Sequence, residues 1–111
     1  IDQVALITEG RVVTGEDPKR EVRFAFASDL MSDVLTLMED HVMLITGLAN
    51  VQAVRTALMS DINTILLVRG KSATQEMKEI ASSNDVVIIE SDYSMFRSAG
   101  VLYERGLKAV F

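Results

Sequence analysis

The 111-residue sequence contains no cysteine, so it can form no disulfide, no thiolate zinc site and no cysteine-ligated iron–sulfur cluster. Histidine occurs once, which also excludes a histidine-rich metal site. We therefore predict a protein with no metal and no cofactor. The absence of cysteine suits a reducing compartment, and we expect a cytoplasmic location.

Clusters of basic residues and long apolar runs are also missing. Lys and Arg number 11 against 16 Asp and Glu, and the formal net charge is −5. Nucleic-acid backbones require clustered Lys and Arg, so we expect no nucleic-acid partner. No apolar run is long enough to span a membrane and no signal peptide is visible, so we expect no membrane association. The chain begins with Ile1 rather than Met, as a trimmed chain or a domain cut from a longer protein would.

Short apolar runs alternate with amphipathic stretches along the whole chain. The length fits one domain, predicted over residues 1–111, and a hydrophobic content of 49% can fill one core. Strands are predicted at residues 12–14, 22–27, 42–45, 64–68 and 86–89, and helices at residues 30–39, at about residues 51–59, after Ser72, and after Ser91 or Asp92. This alternation is typical of a layered α/β domain.

The later strands are apolar on both faces. Residues 65–68 and 86–89 are continuous apolar runs, which indicates that helices cover both sides of the sheet. The first two strands are short and joined by a tight connection, so we predict that they form an antiparallel pair. The expected fold class is a three-layer α/β/α domain with a mixed central sheet.

Residues suited to helix capping follow or precede these strands. Ser28 or Asp29 is predicted to cap the helix over residues 30–39, and Asn50 the next helix. Ser72 is predicted to cap the third helix, because Gln75 lies three residues on, at capping-box spacing. Ser91 or Asp92 is predicted to cap the last helix.

The chain resembles the DRTGG domain family in four segments that cover most of its length: "FASDLMSDVL" (26–35), "VMLITGLANVQAVRTAL" (42–58), "ILLVRGKSATQEMKEIA" (65–81) and "SDYSMFRSAGVLYERGL" (91–107). The resemblance implies a fold similar to the N-terminal domain of HPr kinase. Members occur fused to CBS domains, in some phosphotransacetylases and in some pyrophosphatases, and short stand-alone members accompany iron-only hydrogenase genes. Many members carry Asp-Arg after the Leu-Ile-Thr-Gly stretch, where this chain has Leu48-Ala49. The resemblance implies a regulatory or accessory module.

Ligands of open α/β sheets bind beyond the carboxyl ends of the strands. If the strands are parallel, four loops meet there, and Asn50 begins a helix whose free N–H groups favour an anion. Arg69 and Lys71 add positive charge. The predicted ligand-binding residues are Ser28, Asp29, Thr46, Gly47, Asn50, Arg69, Gly70, Lys71, Ser91 and Asp92. The alternative is that Gly47 is only a turn and Asn50 only a cap.

Two further features have structural explanations that compete with functional ones. Asp29 and Asp33, four residues apart, can face a cation or partner, or can simply be the solvated start of a helix. His41 is predicted to lie on the surface at the opposite pole.

The helix at residues 30–39 has a predicted core stripe of Leu30, Val34, Leu37 and Met38. Met31 and Leu35 form a second apolar side, which is explained either by deep burial or by a second subunit. We predict a homodimer that uses this helix.

Two classes of function are compatible with these features. The first is a non-catalytic regulatory module that senses a small anionic ligand or docks on a partner enzyme. The alternative is a small enzyme of phosphoryl or acyl transfer that uses the same loops. The sequence offers no catalytic residues, because it has no Gly-rich phosphate loop and no nucleophile with an evident base. We therefore predict a protein that is not an enzyme.

Overall fold

The alternating sequence pattern forms an ordered series of helices and strands. The structure, a computed structural model, describes residues 2–15, 21–35 and 41–110. The elements are α1 (Asp2–Ile7), β1 (Arg11–Thr14), β2 (Phe24–Ala27), α2 (Met31–Val34), β3 (Val42–Thr46), α3 (Val51–Met59), β4 (Thr64–Leu67), α4 (Gln75–Ser83), β5 (Val87–Glu90), α5 (Met95–Glu104) and β6 (Lys108–Ala109). All the predicted strands are present, within two residues at each end.

Within the described residues the strands form one six-stranded sheet in the order β1-β5-β4-β3-β2-β6. Strands β2 to β5 are parallel neighbours, β6 is parallel to β2, and β1 is antiparallel to β5. The prediction of a mixed sheet is confirmed, but the predicted antiparallel pairing of the first two strands is wrong. Thr14 explains the actual partner of β1, because its hydroxyl donates to Val86 O and accepts from Ile88 N–H.

Alternate residues of the central strands face two separate cores. Leu44, Ile65 and Ile88 pack on one face with residues of α2, α3 and α4. Met43 and Leu66 pack on the other face with Val4 of α1 and Leu102 of α5. This arrangement explains why the runs were apolar at every position, and it confirms the three-layer α/β/α architecture.

The path of the chain explains which helices share a face. Strands β2 to β5 advance across the sheet one position at a time, and α2, α3 and α4 lie on one side of it. After β5 the chain returns across the whole sheet through α5 to reach β6 beside β2. Crossover connections between parallel strands are right-handed. A connection that runs across the sheet in the opposite direction therefore places its helix on the opposite face.

The cap of α3 was predicted correctly, whereas that of α4 was not. Asn50 Oδ1 accepts a hydrogen bond from Ala53 N–H at 3.1 Å. Helix α4 begins after Thr74 rather than Ser72, and the Thr74 hydroxyl accepts from Met77 N–H.

The start of α5 also lies later than predicted. Ser94 is its cap, with its hydroxyl accepting from Arg97 N–H, in place of Ser91 or Asp92. The Ser91 hydroxyl instead donates to Thr8 O of the segment after α1, a contact between residues far apart in sequence.

Helix α2 differs most from its predicted form. Leu30 is the cap residue, in an extended conformation and 59% exposed, so it does not belong to the core stripe. Neither Ser28 nor Asp29 caps this helix. Met31 is buried beside Val34, whereas Leu35 is 51% exposed. Met31 is therefore a core residue, which removes it from the predicted dimer surface; Leu37 and Met38 lie outside the described residues.

Two elements, α1 and β6, were missed by the sequence prediction. Both are short, at six and two residues. Neither is long enough to show a clear helical or strand periodicity. Among the described residues, no helix has the length and apolar character needed to cross a bilayer.

Candidate functional site

The loops after β2, β3, β4 and β5 lie side by side because these strands are parallel neighbours. We call this region the carboxyl edge and define it by Ser28, Asp29, Thr46, Gly47, Asn50, Arg69, Gly70, Lys71, Ser91 and Asp92. The predicted convergence of the four loops is therefore present in the fold. Whether these residues bind a ligand stays a prediction.

Asp29 joins the loops after β2 and β3. Its Oδ1 accepts from the Thr46 hydroxyl at 2.9 Å and from Gly47 N–H at 2.7 Å. Its Oδ2 lies 3.6 Å from Arg69 Nη2. Asp29 therefore links three neighbouring loops. It lies before α2 and is bonded to β3, so it does not form with Asp33 the pair on one helix that the spacing suggested.

Gly47 provides the space that Arg69 occupies. A Cβ atom on Gly47 would lie 2.8 Å from Arg69 Nε and 2.9 Å from Cζ, closer than side-chain contacts allow. The guanidinium can therefore rest against the backbone of the β3–α3 loop only because residue 47 is glycine. The Arg69 side chain nevertheless keeps 53% of its surface exposed. Its charge therefore lies against this loop and is accessible.

Backbone hydrogen bonds between two loops hold Arg69 in this position. Arg69 and Gly70 both have positive φ, 62° and 70°. Arg69 N–H donates to Tyr93 O at 2.7 Å, and Gly70 N–H donates to Ser91 O at 3.0 Å. A non-glycine residue with positive φ is uncommon, and here these two hydrogen bonds offset its cost.

The chain changes side between the loops after β4 and β5. The first leads to α4 on one face and the second to α5 on the other, which makes this the switch point where open α/β sheets bind ligands. In this protein the two Arg69–Tyr93 and Gly70–Ser91 hydrogen bonds bridge the crevice. The accessible polar groups therefore lie beside the switch point, toward Gly47 and Lys71.

Three of the predicted site residues have structural partners within the chain. Asn50 caps α3, and Ser91 is 1% exposed with its hydroxyl bonded to Thr8 O at 2.6 Å. The Ser28 hydroxyl accepts from Leu30 N–H. For Asn50, the alternative stated above, that it serves as a cap, describes the observed contact. Gly70, Lys71 and Asp92 are exposed at the edge.

Two neighbouring groups were missed by the sequence prediction. Glu90 is 4% exposed at the end of β5, where its carboxylate accepts from Ala73 N–H at 2.7 Å and pairs with Arg11 at 2.9 Å. In the sequence, the available signal was a single acidic residue at the end of an apolar run. The Glu90 carboxylate holds the loop that follows Lys71.

Tyr93 is the second missed group. The Arg97 guanidinium lies 3.9 Å from the centre of its ring. The Tyr93 hydroxyl donates to Glu9 Oε2 at 3.0 Å, and this bond, which requires the phenol proton, raises the pKa of Tyr93. This hydrogen bond joins the loop after β5 to the segment after α1.

The edge carries charges of both signs. Arg69 and Lys71 stand against Asp29 and Asp92, so neither sign dominates. Within residues 2–15, 21–35 and 41–110, no three His, Asp or Glu side chains form a potential metal site. The Thr46 hydroxyl donates to Asp29 but is fully buried, so it cannot reach a substrate in this arrangement.

Fold and edge together define a class: a three-layer α/β domain with an accessible arginine, Arg69, at the carboxyl ends of its parallel strands. The model of the DRTGG domain family matches residues 3–104. The chain therefore belongs to the DRTGG domain family. Leu48 and Ala49, which stand where many members carry Asp-Arg, are half-buried against the core beneath α3.

A solved structure has the same fold. It comprises the CBS and DRTGG domains of the regulatory region of Clostridium perfringens pyrophosphatase, complexed with the activator diadenosine tetraphosphate. The TM-score is 0.79 at 12% sequence identity, over 92% of this chain and 45% of that one. This chain thus spans less than half of that regulatory region. No curated protein sequence matches the chain.

Proposed function

We propose that the chain is a non-catalytic regulatory module that binds a small anionic ligand at the carboxyl edge, in the cytoplasm. The observation that carries this proposal is the placement of Arg69, which is seated on Gly47 and half exposed. Family membership supports the regulatory role, since a DRTGG domain forms part of the pyrophosphatase regulatory region.

The ion pair of Arg69 with Asp29 leaves room for a ligand. Charge-assisted hydrogen bonds measure about 2.7–2.9 Å, and the 3.6 Å separation here is longer. Exposed ion pairs contribute only about 0–1 kcal/mol. A phosphate or carboxylate group that approaches Arg69 in bidentate geometry can therefore replace Asp29 at little cost.

The alternative, an enzyme of phosphoryl or acyl transfer, has less support. The hydroxyls of Thr46 and Ser91 are buried and bonded to Asp29 and Thr8 O. A nucleophile must reach its substrate, and these two do not. We expect no turnover of ATP or acetyl phosphate above the protein-free rate.

Calorimetric titration tests the proposal. The probes are inorganic pyrophosphate, ATP and diadenosine tetraphosphate, the last because the similar structure was complexed with it. Arg69→Ala removes a charged hydrogen bond worth about 1.5–3 kcal/mol, so we expect Kd to rise roughly 10- to 100-fold. Arg55→Ala on the exposed side of α3 makes the same charge change elsewhere and is the control.

Asp29→Asn is expected to change the affinity in the opposite direction. The amide oxygen can still accept from Thr46 and Gly47, while the charge that competes for Arg69 is lost. We expect this variant to bind the same probes more tightly. Equal affinity in wild type and Arg69→Ala, or weaker binding by a folded Asp29→Asn, would contradict the proposed site.

A further inference from the structure

An apolar groove lies beside α5, and neither Asp29 nor Arg69 lines it. It has a volume of about 440 Å³ and lies between the helix and strands β2 and β6. Its sheet side is lined by the small residues Ala25, Ala27 and Ala109, together with Phe26, Ile45 and Val110. Its helix side is lined by Phe96, Gly100 and Tyr103, at positions i, i+4 and i+7 of α5.

Helix α5 is apolar on two sides. Ser98 and Leu102 face the core beneath the helix. Phe96 and Tyr103, on the groove side, remain 90% and 71% exposed. Two aromatic side chains that protrude beside an apolar groove mark an interaction surface more often than a free one.

Gly100 lies between these rings and has no evident use within a single chain. A Cβ atom there would meet nothing within 4 Å, and its φ is not positive. Glycine inside a helix costs stability relative to alanine. A second molecule that approaches the helix closely would explain why the position between the rings is open.

The groove also lies on the face of the sheet that α1 and α5 cover, near the edge strand β6. The core on this face is formed by α1 and α5 with the central strands, and β6 stands at the end of the strand order. Within the described residues, the outer edge of β6 has no partner strand. The surface over β2 and β6 can therefore receive another element.

We propose that the groove is the interface of a homodimer, in which Phe96 and Tyr103 of each copy enter the groove of the other. The protruding rings and the groove that receives them lie on one surface patch. A two-fold axis requires a self-complementary patch of this kind. Aromatic side chains bury roughly 150–250 Å² each. Four rings then supply about 600–1,000 Å², a large part of the roughly 1,200 Å² at which stable interfaces begin.

The residues that line the groove favour a protein surface, rather than a small ligand, as its occupant. Ligand pockets place a few converging polar groups among apolar walls. Among the described lining residues, Lys108 is the only charged one. Glu104 ends α5, Arg105 is its C-cap and Lys108 begins β6; all three are exposed, so unlike charges can meet across the two-fold axis.

Sedimentation velocity over a range of protein concentrations tests the interface. The wild-type chain should sediment with twice the mass of a 12.2 kDa monomer at micromolar concentration. Phe96→Arg should give a folded monomer, with the dimer Kd raised at least about 100-fold. Gly100→Gln fills the space between the rings and should weaken the dimer even if Phe96→Arg fails to fold.

Leu6→Arg and Leu35→Arg are the controls, because both side chains are exposed and apolar but lie outside the groove. Both should remain dimeric. A wild-type chain that stays monomeric at about 100 μM would overturn the proposal. A dimer that Leu35→Arg dissociates and Phe96→Arg leaves intact would also overturn it. Either result leaves the anion site untouched, since titration of Arg69→Ala reads that site separately.

Discussion

At the residue scale, Gly47 and Arg69 form a matched pair: one leaves the space that the other fills. The sequence made Gly47 a candidate only as a turn before a helix, and Arg69 only as a nearby charge. Their contact joins loops after different strands, so no local pattern could reveal it. Asp29, expected to cap a helix, is likewise explained by its bonds to Thr46 and Gly47.

Gly47→Ala tests this pairing. The new methyl group collides with the end of a flexible side chain, so we expect the fold to tolerate it, with a stability change below about 1 kcal/mol. The guanidinium must move, so pyrophosphate affinity should fall about tenfold. In an Arg69→Ala background the same change should have no effect on affinity, which a double-mutant cycle by calorimetry measures. Additive losses would show that the two residues act independently.

Ser98 is a second case at this scale. Its hydroxyl is fully buried and has no hydrogen-bond partner among residues 2–15, 21–35 and 41–110. An unpaired buried polar group is costly, so Ser98→Ala should stabilise the protein by about 1 kcal/mol in urea unfolding. Ser82→Ala on the exposed side of α4 corrects for helix propensity. A loss of stability in Ser98→Ala would mean that the hydroxyl does have a partner in solution.

At the scale of elements, the strands and the long helices could be predicted because each carries its own apolar pattern. The start of α3 was also predicted, but the starts of α4 and α5 were not, because several capping residues compete in each of these loops. Thr74 is preferred to Ser72 once Glu90, 17 residues away, holds Ala73 N–H. Ser94 is preferred once Ser91 is bonded to Thr8, 83 residues away. Long-range contacts decide between local alternatives.

Glu90 is the group that joins β5, β1 and the start of α4. Glu90→Ala leaves Ala73 N–H unpaired and should cost about 2–3 kcal/mol in urea unfolding. Glu90→Gln retains an acceptor and should cost less. Arg11→Ala should cost less than Glu90→Ala, because Arg11 is 56% exposed and its loss leaves the Glu90–Ala73 hydrogen bond in place. If Arg11→Ala were as costly as Glu90→Ala, the ion pair and not the loop contact would carry the effect.

At the scale of the whole molecule, layered α/β architecture followed from composition and alternation, but the strand order did not. The pairing of β1 depends on contacts such as that between Arg11 and Glu90, 79 residues apart. The order matters for the proposed site because it places four parallel carboxyl ends side by side. The predicted dimer surface was on α2, but Met31 is buried there, so the proposed dimer surface is on α5.

The most direct test of the central claim is to map a bound anion onto the molecule. Amide chemical shifts of the ¹⁵N-labelled chain would be followed during titration with pyrophosphate and with diadenosine tetraphosphate. We predict that the largest changes fall on Gly47, Leu48, Gly70 and Lys71, and that they disappear in Arg69→Ala. Changes centred on His41 at the opposite pole, or on α5, or no saturable change at all, would contradict the account.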